Sequence, residues 1–283
     1  MKSAICLISC HDQKGIVAKV TNFIFSNNGN ILHLDQHIDP QSETLFMRVE
    51  WLLDDPAVSL KTLSESFQSI ANFFNMDYTI HLSEEKERVA IFVSTVSHCL
   101  YDILLKVKSG ELNCEVPLII SNHTTCREIA DYFNIPFYYF EKNNGNFLKI
   151  EEEEVALIKK YEIDTLLLAR YMRILSPQFV EKFPNRIINV HHSFLPAFVG
   201  KAPYEQAFAR GVKIIGATSH YVTAKLDSGP IIEQATVRIN HSDTVKDLQR
   251  KGKELERLVL SKALQLHLAK KILVYNNKTV VFD

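Results

Sequence analysis

From residue 89 onward, short runs of apolar residues alternate with segments of helical periodicity. Strands that are apolar without interruption are typical of parallel sheets that helices cover on both faces. Such runs occupy residues 89–94, 116–121, 165–169 and 186–189, and a later run at 230–239 is predicted to be antiparallel or at a sheet edge. We therefore predict an α/β domain over residues 89–283 with a doubly wound, mostly parallel sheet.

The first 82 residues show another order of elements. Strand-like runs and two amphipathic helical segments alternate as βαββαβ, the ferredoxin-like plan. Asp12 is predicted to cap the first helix, and the all-polar residues 83–88 are predicted to be a linker. The turn Asp12-x-x-Gly15-Ile16-Val17 resembles that of the ACT family. That resemblance implies a domain for residues 1–82 that regulates or oligomerises and that binds an amino-acid effector. A scaffold that only dimerises is the alternative, because this fold alone says little about function.

Composition excludes several classes of protein. The net charge is −1 and the isoelectric point about 6.8, so neither a nucleic-acid partner nor an anionic membrane surface is indicated. No apolar stretch reaches the roughly 18 residues of a membrane span, and the amino-terminal apolar run is too short for a signal peptide. Five cysteines without a Cys-x-x-Cys pair predict thiols in a reducing compartment, and we expect a cytoplasmic enzyme. The charged run 151–154 is predicted to be a solvated helix start.

Three polar residues follow the pattern that acyl-transfer chemistry needs. Asn189 and His191 lie two apart in a strand-like run, so both side chains point to one face, and Asp227 follows His191 by 36 residues. An amide can donate a hydrogen bond to an oxyanion, an imidazole can move a proton, and a carboxylate can hold that imidazole or activate water. A core strand that ends in a polar loop, with a turn marked by Pro196 and Gly200, is the alternative.

The residues around this set form a longer pattern. Asn189-x-His191 is followed by Ser193-x-Leu-Pro, then by Gly216-x-Thr-x-His220 and Asp227-x-Gly-Pro-Ile. The pattern resembles the formyltransferase family that uses 10-formyltetrahydrofolate. Within that family it is closest to the formyltetrahydrofolate deformylase branch, because of the doubled His191-His192 and the ACT-like segment.

The resemblance assigns roles to particular residues. It makes Asn189, His191 and Asp227 the catalytic trio. Asn189 and His191 would stabilise the oxyanion of a tetrahedral intermediate, and Asp227 would bind or deprotonate the attacking water. His220, His192 and Ser193 would support the trio, although His220 is equally well explained as a hydrogen-bonded strand histidine. The resemblance also places the folate pterin against the backbone of two segments. The residues concerned are Met172, Arg173, Ile174, Leu175, Thr223 and Leu226.

The acceptor of the formyl group is predicted from the loop 94–102. That loop has no glycine, whereas a phosphate-bearing acceptor needs backbone N–H groups that glycine brings close. Water is therefore the expected acceptor, and the expected reaction converts 10-formyltetrahydrofolate to formate and tetrahydrofolate. The resemblance implies that such a reaction supplies formate for purine synthesis and balances the one-carbon folate pool. The sequence shows no metal-ligand spacing and no dinucleotide motif, so we expect no metal and no cofactor.

Two other functions stay open at this point. One is a formyltransferase with an unidentified amine acceptor, and the other is a non-catalytic folate or amino-acid sensor. Because a four-stranded sheet with one open face tends to bury that face, we also expect a homo-oligomer.

Overall fold

A computed structural model describes residues 2–55, 58–141, 145–196 and 203–282. The turn predicted at Gly200 lies outside these residues. The chain forms two compact units. The first consists of residues 1–86, 269–275 and 280–283, and the second of residues 87–268 and 276–279. Within the described part of the chain, no helix combines the length and apolar character needed to cross a membrane.

The first unit contains a four-stranded antiparallel sheet with the strand order β2-β3-β1-β4. Its elements are β1 (Ser3–His11), α1 (Ile16–Ser26), β2 (Asn30–Asp39), β3 (Thr44–Leu52), α2 (Leu60–Phe74) and β4 (Asp77–Leu82). The predicted βαββαβ order is confirmed. The prediction that Asp12 caps α1 is wrong, because the N-cap is Gly15 at φ 98°, with no side-chain hydrogen bond. The Asp12 backbone N–H instead donates to Glu43, across the end of the β1–β3 pair.

The second unit contains a seven-stranded sheet with the order β11-β10-β9-β8-β5-β6-β7. Its strands are β5 (Glu87–Val93), β6 (Cys114–Ser121), β7 (Phe137–Tyr139), β8 (Thr165–Leu168), β9 (Ile187–His191), β10 (Ile214–Tyr221) and β11 (Ile231–Arg238). The five strands from β9 to β7 are parallel, and β10 and β11 are antiparallel to their neighbours. The predicted mostly parallel sheet is confirmed, and the antiparallel edge falls where the sequence placed it.

The helices of this unit are α3 (His98–Ser109), α4 (Arg127–Tyr132), α5 (Phe147–Lys160), α6 (Pro177–Val180), α7 (Pro203–Arg210) and α8 (Val245–Leu268). The start of α8 carries a capping box, in which Asp247 accepts from the Thr244 N–H and Thr244 accepts from the Asp247 N–H. The boundary between the two units, after residue 86, and the start of β5 at Glu87 both fall within the segment 83–88 that was predicted to be a linker. Glu87 and Arg88 lie in β5, paired with Cys114 and Glu115 of β6.

Two acidic side chains of α5 were predicted to be exposed to solvent, and this prediction is wrong. Glu151 and Glu154 are buried, at 4% and 0% exposure, although their charged run was expected to be solvated. Glu151 accepts hydrogen bonds from the backbone N–H and the hydroxyl of Ser176, at 2.9 and 2.5 Å. Glu154 accepts from the Tyr171 hydroxyl at 3.4 Å. Burial of these carboxylates is tolerated because donors from a distant loop satisfy them.

The carboxyl-terminal residues form a hairpin of the strands β12 (Ile272–Tyr275) and β13 (Lys278–Val281). In the first unit, Phe282 packs with Leu7 and Phe46, on the sheet face opposite α1 and α2. The Phe46 and Tyr275 rings lie 4.9 Å apart. The sheet face that was expected to be open is therefore covered in part by the end of the same chain.

Candidate active site

The ends of three neighbouring strands place the predicted site residues together. β9 ends with Asn189, Val190 and His191, and β8 next to it leads into the segment 169–175. Because β10 is antiparallel to β9, its register sets His220 opposite Asn189. Asp227 lies in the loop that follows β10, at φ 49°, a left-handed conformation that aspartate tolerates better than most residues. Five of the predicted residues thus share one site: Asn189, His191, His192, His220 and Asp227.

His191 and Asp227 form the centre of this site. His191 is buried, and its Nδ1 lies 3.4 Å from Oδ2 of Asp227. The hydrogen bond from His191, aided by the nearby histidines, holds the pKa of Asp227 below its usual value despite partial burial. Nε2 of His191 is buried and has no hydrogen-bond partner among the described residues. A buried polar nitrogen costs free energy unless something binds it, so Nε2 is placed for a ligand.

His220 lies next to Asp227 and contacts Asn189. Its Nδ1 lies 2.8 Å from the Tyr221 carbonyl, which fixes the proton on that nitrogen. Nε2 then accepts from Nδ2 of Asn189 at 3.3 Å and lies 3.8 Å from Oδ1 of Asp227. Burial lowers the pKa of His220, so it stays neutral and orients the Asn189 amide.

His192 and Ser193 pack behind the centre. The His192 ring stacks on the His191 ring, with centroids 4.9 Å apart. Burial, together with the charges of Arg170 and His191, lowers the pKa of His192 to about 4. Ser193 is buried, and its carbonyl accepts from the Thr218 hydroxyl at 2.9 Å. Both residues therefore fix the segment that directly follows His191.

The two segments predicted to bind the pterin differ in exposure. Met172 and Ile174 are 57% and 65% exposed, Arg173 is exposed, and Leu175 is buried. The backbone of this segment is held at both ends, since Ser94 accepts from the Met172 N–H at 2.8 Å and Glu151 binds Ser176. In the second segment, the Thr223 hydroxyl donates to the Lys225 carbonyl at 3.1 Å and Leu226 is 57% exposed. The sequence did not predict the holding roles of Ser94 and Glu151.

A cavity of about 540 Å³ lies beside Asp227. It is lined by Leu195, Pro196, Asp227, Ser228, Gly229, Ile231, Asn277, Lys278 and Thr279. The hairpin tip is fixed to the Asp227 loop, because Asn277 donates to the Ser228 carbonyl at 2.9 Å and Thr279 to the Ile231 carbonyl at 2.5 Å. Gly229 is required here, since a Cβ would lie 1.8 Å from the Tyr221 carbonyl oxygen.

One group of three potential metal ligands occurs within the described ranges, formed by His98, Cys99 and Glu256. The Glu256 carboxylate already accepts from His98 and from Tyr204, both at 2.8 Å, and Arg170 lies 3.5 Å from it. Burial raises the pKa of the Cys99 thiol, so it stays protonated. A guanidinium and a neutral thiol are poor surroundings for a cation, and this group is better explained as a hydrogen-bond network.

Comparison with known proteins identifies the family. Residues 87–264 match the family model described as formyl transferase, and residues 4–70 match the ACT domain. A formyltetrahydrofolate deformylase of Synechocystis sp. is 52% identical over 280 residues, which cover 99% of this chain and 98% of the relative. The chain belongs to the formyltetrahydrofolate deformylase family. The resemblance predicted from the spaced motifs is therefore confirmed.

Further members of the deformylase family support the assignment over the whole length of the chain. The formyltetrahydrofolate deformylase of Bacillus subtilis is 44% identical, and the match covers 98% of this chain and 93% of the relative. The crystal structure of a formyltetrahydrofolate deformylase from Pseudomonas syringae pv. tomato superposes with a TM-score of 0.97 at 44% identity. That match covers 100% of this chain and 95% of the other, so both units are common to the two proteins.

Proposed function

We propose that this protein hydrolyses 10-formyltetrahydrofolate to formate and tetrahydrofolate. The observation that carries the proposal is the buried, unpartnered Nε2 of His191, held by an ionised Asp227 beside an oriented Asn189 amide. These three groups can bind the formyl oxygen and activate water without a covalent intermediate. Membership of the deformylase family supports the same reaction.

In the proposed mechanism, Asp227 orients a water molecule, and the proton of that water passes to Nε2 of His191 as the water oxygen attacks the formyl carbon. Asn189 has a second amide hydrogen besides the one given to His220, and this hydrogen donates to the developing oxyanion. His191, protonated at Nε2 as Asp227 stabilises its charge, also donates to the oxyanion and delivers a proton to N10. The bond between the formyl carbon and N10 then breaks, which releases formate and tetrahydrofolate.

The substrate's pterin is proposed to bind the backbone of 172–175 together with Thr223 and Leu226. The tethering of Met172 by Ser94 and of Ser176 by Glu151 keeps that backbone in place for the pterin edge. We propose that the reaction uses neither a metal nor a cofactor, because the trio itself supplies the acid, the base and the oxyanion donors. The proposed role of the hydrolysis is to release formate for purine synthesis and to balance the one-carbon folate pool.

The decisive experiment follows formate and tetrahydrofolate from 10-formyltetrahydrofolate with no amine present. We expect the two products in a one-to-one ratio. The same assay with added glycinamide ribonucleotide should yield no formylated ribonucleotide. Turnover only in the presence of an amine would support a transferase, and binding of the folate without turnover would support a sensor.

The first unit is proposed to add assembly and regulation. β2 is an edge strand of its sheet, and Leu32 and Ile38 on it are 51% and 42% exposed. Exposed apolar edges tend to be covered by another chain, so we propose a homo-oligomer, to be measured by light scattering. The ACT match supports an amino-acid effector, to be tested by titrating each amino acid into the activity assay. The five cysteines are buried thiols, which fits the reducing cytoplasm.

A further inference from the structure

Arg170 has an unusual backbone conformation next to the candidate active site. It is the second residue after β8 and has φ 63°, the left-handed region that costs a residue with a Cβ about 1 kcal/mol or more. Its side chain is largely buried, at 15% exposure. Strain of this kind persists where the surrounding structure over-determines it, and it is concentrated at functional sites.

The buried side chain joins two parts of the second unit. Nη1 of Arg170 lies 2.7 Å from Nδ1 of His192, and Nε lies 3.5 Å from Glu256. Glu256 is 1% exposed and also accepts from His98 and Tyr204. Burial alone would raise the pKa of Glu256, but the hydrogen bond from His98 and the charge of Arg170 outweigh it and hold that pKa below its usual value. We call Arg170, Glu256, His98 and His192 the Arg170 network.

The Arg170 network has the catalytic histidine at one end and a cavity at the other. His192 stacks on the His191 ring. At the opposite end, His98 lines a cavity of about 380 Å³ together with Val96, Ser97, Tyr101, Asp102, Leu105, Lys253 and Arg257. A cavity of this volume can hold a molecule larger than water. The side chains between it and His191 are largely buried. Arg170 donates a hydrogen bond to His192 and forms an ion pair with Glu256, which accepts from His98, so displacing them is costly.

We propose that Arg170 is a specificity-determining residue that makes water the acceptor, because its network separates this cavity from His191. The inference rests on the proposed hydrolysis. With the Arg170 side chain removed, an amine entering from the cavity would reach the formyl carbon. The amine nitrogen would then form the new C–N bond, the bond to N10 would break, and one amine proton would pass to N10. The products would be a formamide and tetrahydrofolate.

The test replaces Arg170 by glycine, which adopts φ 63° without strain, so the backbone of the loop is preserved. The probe acceptor is glycinamide, added over a range of concentrations to each variant. Formate, N-formylglycinamide and tetrahydrofolate are quantified by chromatography with mass detection, against a control without enzyme. The wild type should form only formate. Arg170→Gly should form N-formylglycinamide, at least tenfold above the wild type and rising with glycinamide concentration.

A matched control is Arg170→Lys, which keeps a long cationic side chain and should remain hydrolytic. Arg170→Asn, which tolerates the left-handed region and is short, should behave like the glycine variant and replaces it if that protein does not fold. Both short variants forming formate alone, with wild-type melting temperatures, would overturn the inference. Absence of hydrolysis by the wild type would instead refute the proposed function, so the two failures are distinguishable.

Discussion

Replacement of Asp227 by asparagine tests the centre of the proposed mechanism. Asparagine has the same shape and also tolerates the left-handed conformation found there, at φ 49°, so the fold should be unchanged. What is lost is the negative charge 3.4 Å from His191. A full charge pair at that distance is worth about 5 kcal/mol at an effective dielectric constant of ~20. With about half of the histidine charge developed in the transition state, the loss is about 2.5 kcal/mol, or on the order of 10²-fold in kcat.

The assay measures kcat from the rate of tetrahydrofolate formation, and Kd for a non-reactive folate analogue by calorimetry. We expect kcat to fall about 10²-fold or more, while Kd and the melting temperature change little. Asp131→Asn is the matched control, because Asp131 is an exposed carboxylate on α4 of the same unit. A kcat within threefold of the wild type for Asp227→Asn would remove this carboxylate from the mechanism.

Three further predictions concern stability. Gly252→Ala would place a Cβ 1.9 Å from the Tyr204 hydroxyl, so we expect the free energy of unfolding, measured with denaturant, to fall by about 1–3 kcal/mol. An unchanged midpoint of unfolding would contradict this. Ser176→Ala removes the α6 cap that accepts from the Phe179 N–H at 3.1 Å, and the free energy of unfolding should fall by about 1 kcal/mol. A decrease of less than about 0.3 kcal/mol would show that the cap is dispensable. Because the pKa of His192 is lowered from 6.5 to about 4, its contribution to stability is complete above pH 6.5 and is lost as pH falls towards 4. In the His192→Asn variant, the melting temperature should depend less on pH between 6.5 and about 4 than it does in the wild type. An identical pH dependence would refute the assignment of this effect to His192.

Local patterns in the sequence predicted much of the fold. The apolar runs predicted β5, β6, β8 and β9 within a few residues, since periodicity and chain reversals are local properties. Ser176 before Pro177, and Thr244 three residues before Asp247, are N-cap patterns of the same local kind. The Asp12 cap failed because a left-handed Gly15 begins α1 without any side chain.

The parts that were missed depend on distant partners. Glu151 was taken for a solvated charge, and only the folded chain brings Ser176 to it. The Arg170 network likewise joins residues that are far apart in sequence. A signal for Glu256 was nevertheless present, because it stands in the apolar stripe of α8, where Gly252, Val259 and Leu260 are its neighbours at helical spacing. A charge in such a stripe needs partners, although the sequence does not say which.

The first unit is completed by residues 269–275 and 280–283, and this has a consequence for its synthesis. Residues 1–86 are translated well before Phe282, so Leu7 and Phe46 can pack with Phe282 only after the residues between them have been translated. The Arg48 guanidinium likewise donates to the carbonyls of Lys270 and Ala269, at 3.0 and 3.3 Å. At ordinary elongation rates, translation of the residues in between takes roughly 10–40 s, and during this time the face of the nascent sheet is uncovered. A nascent chain that stops short of residue 269 therefore leaves a finished sheet with an uncovered apolar face, which chaperones and proteases would recognise.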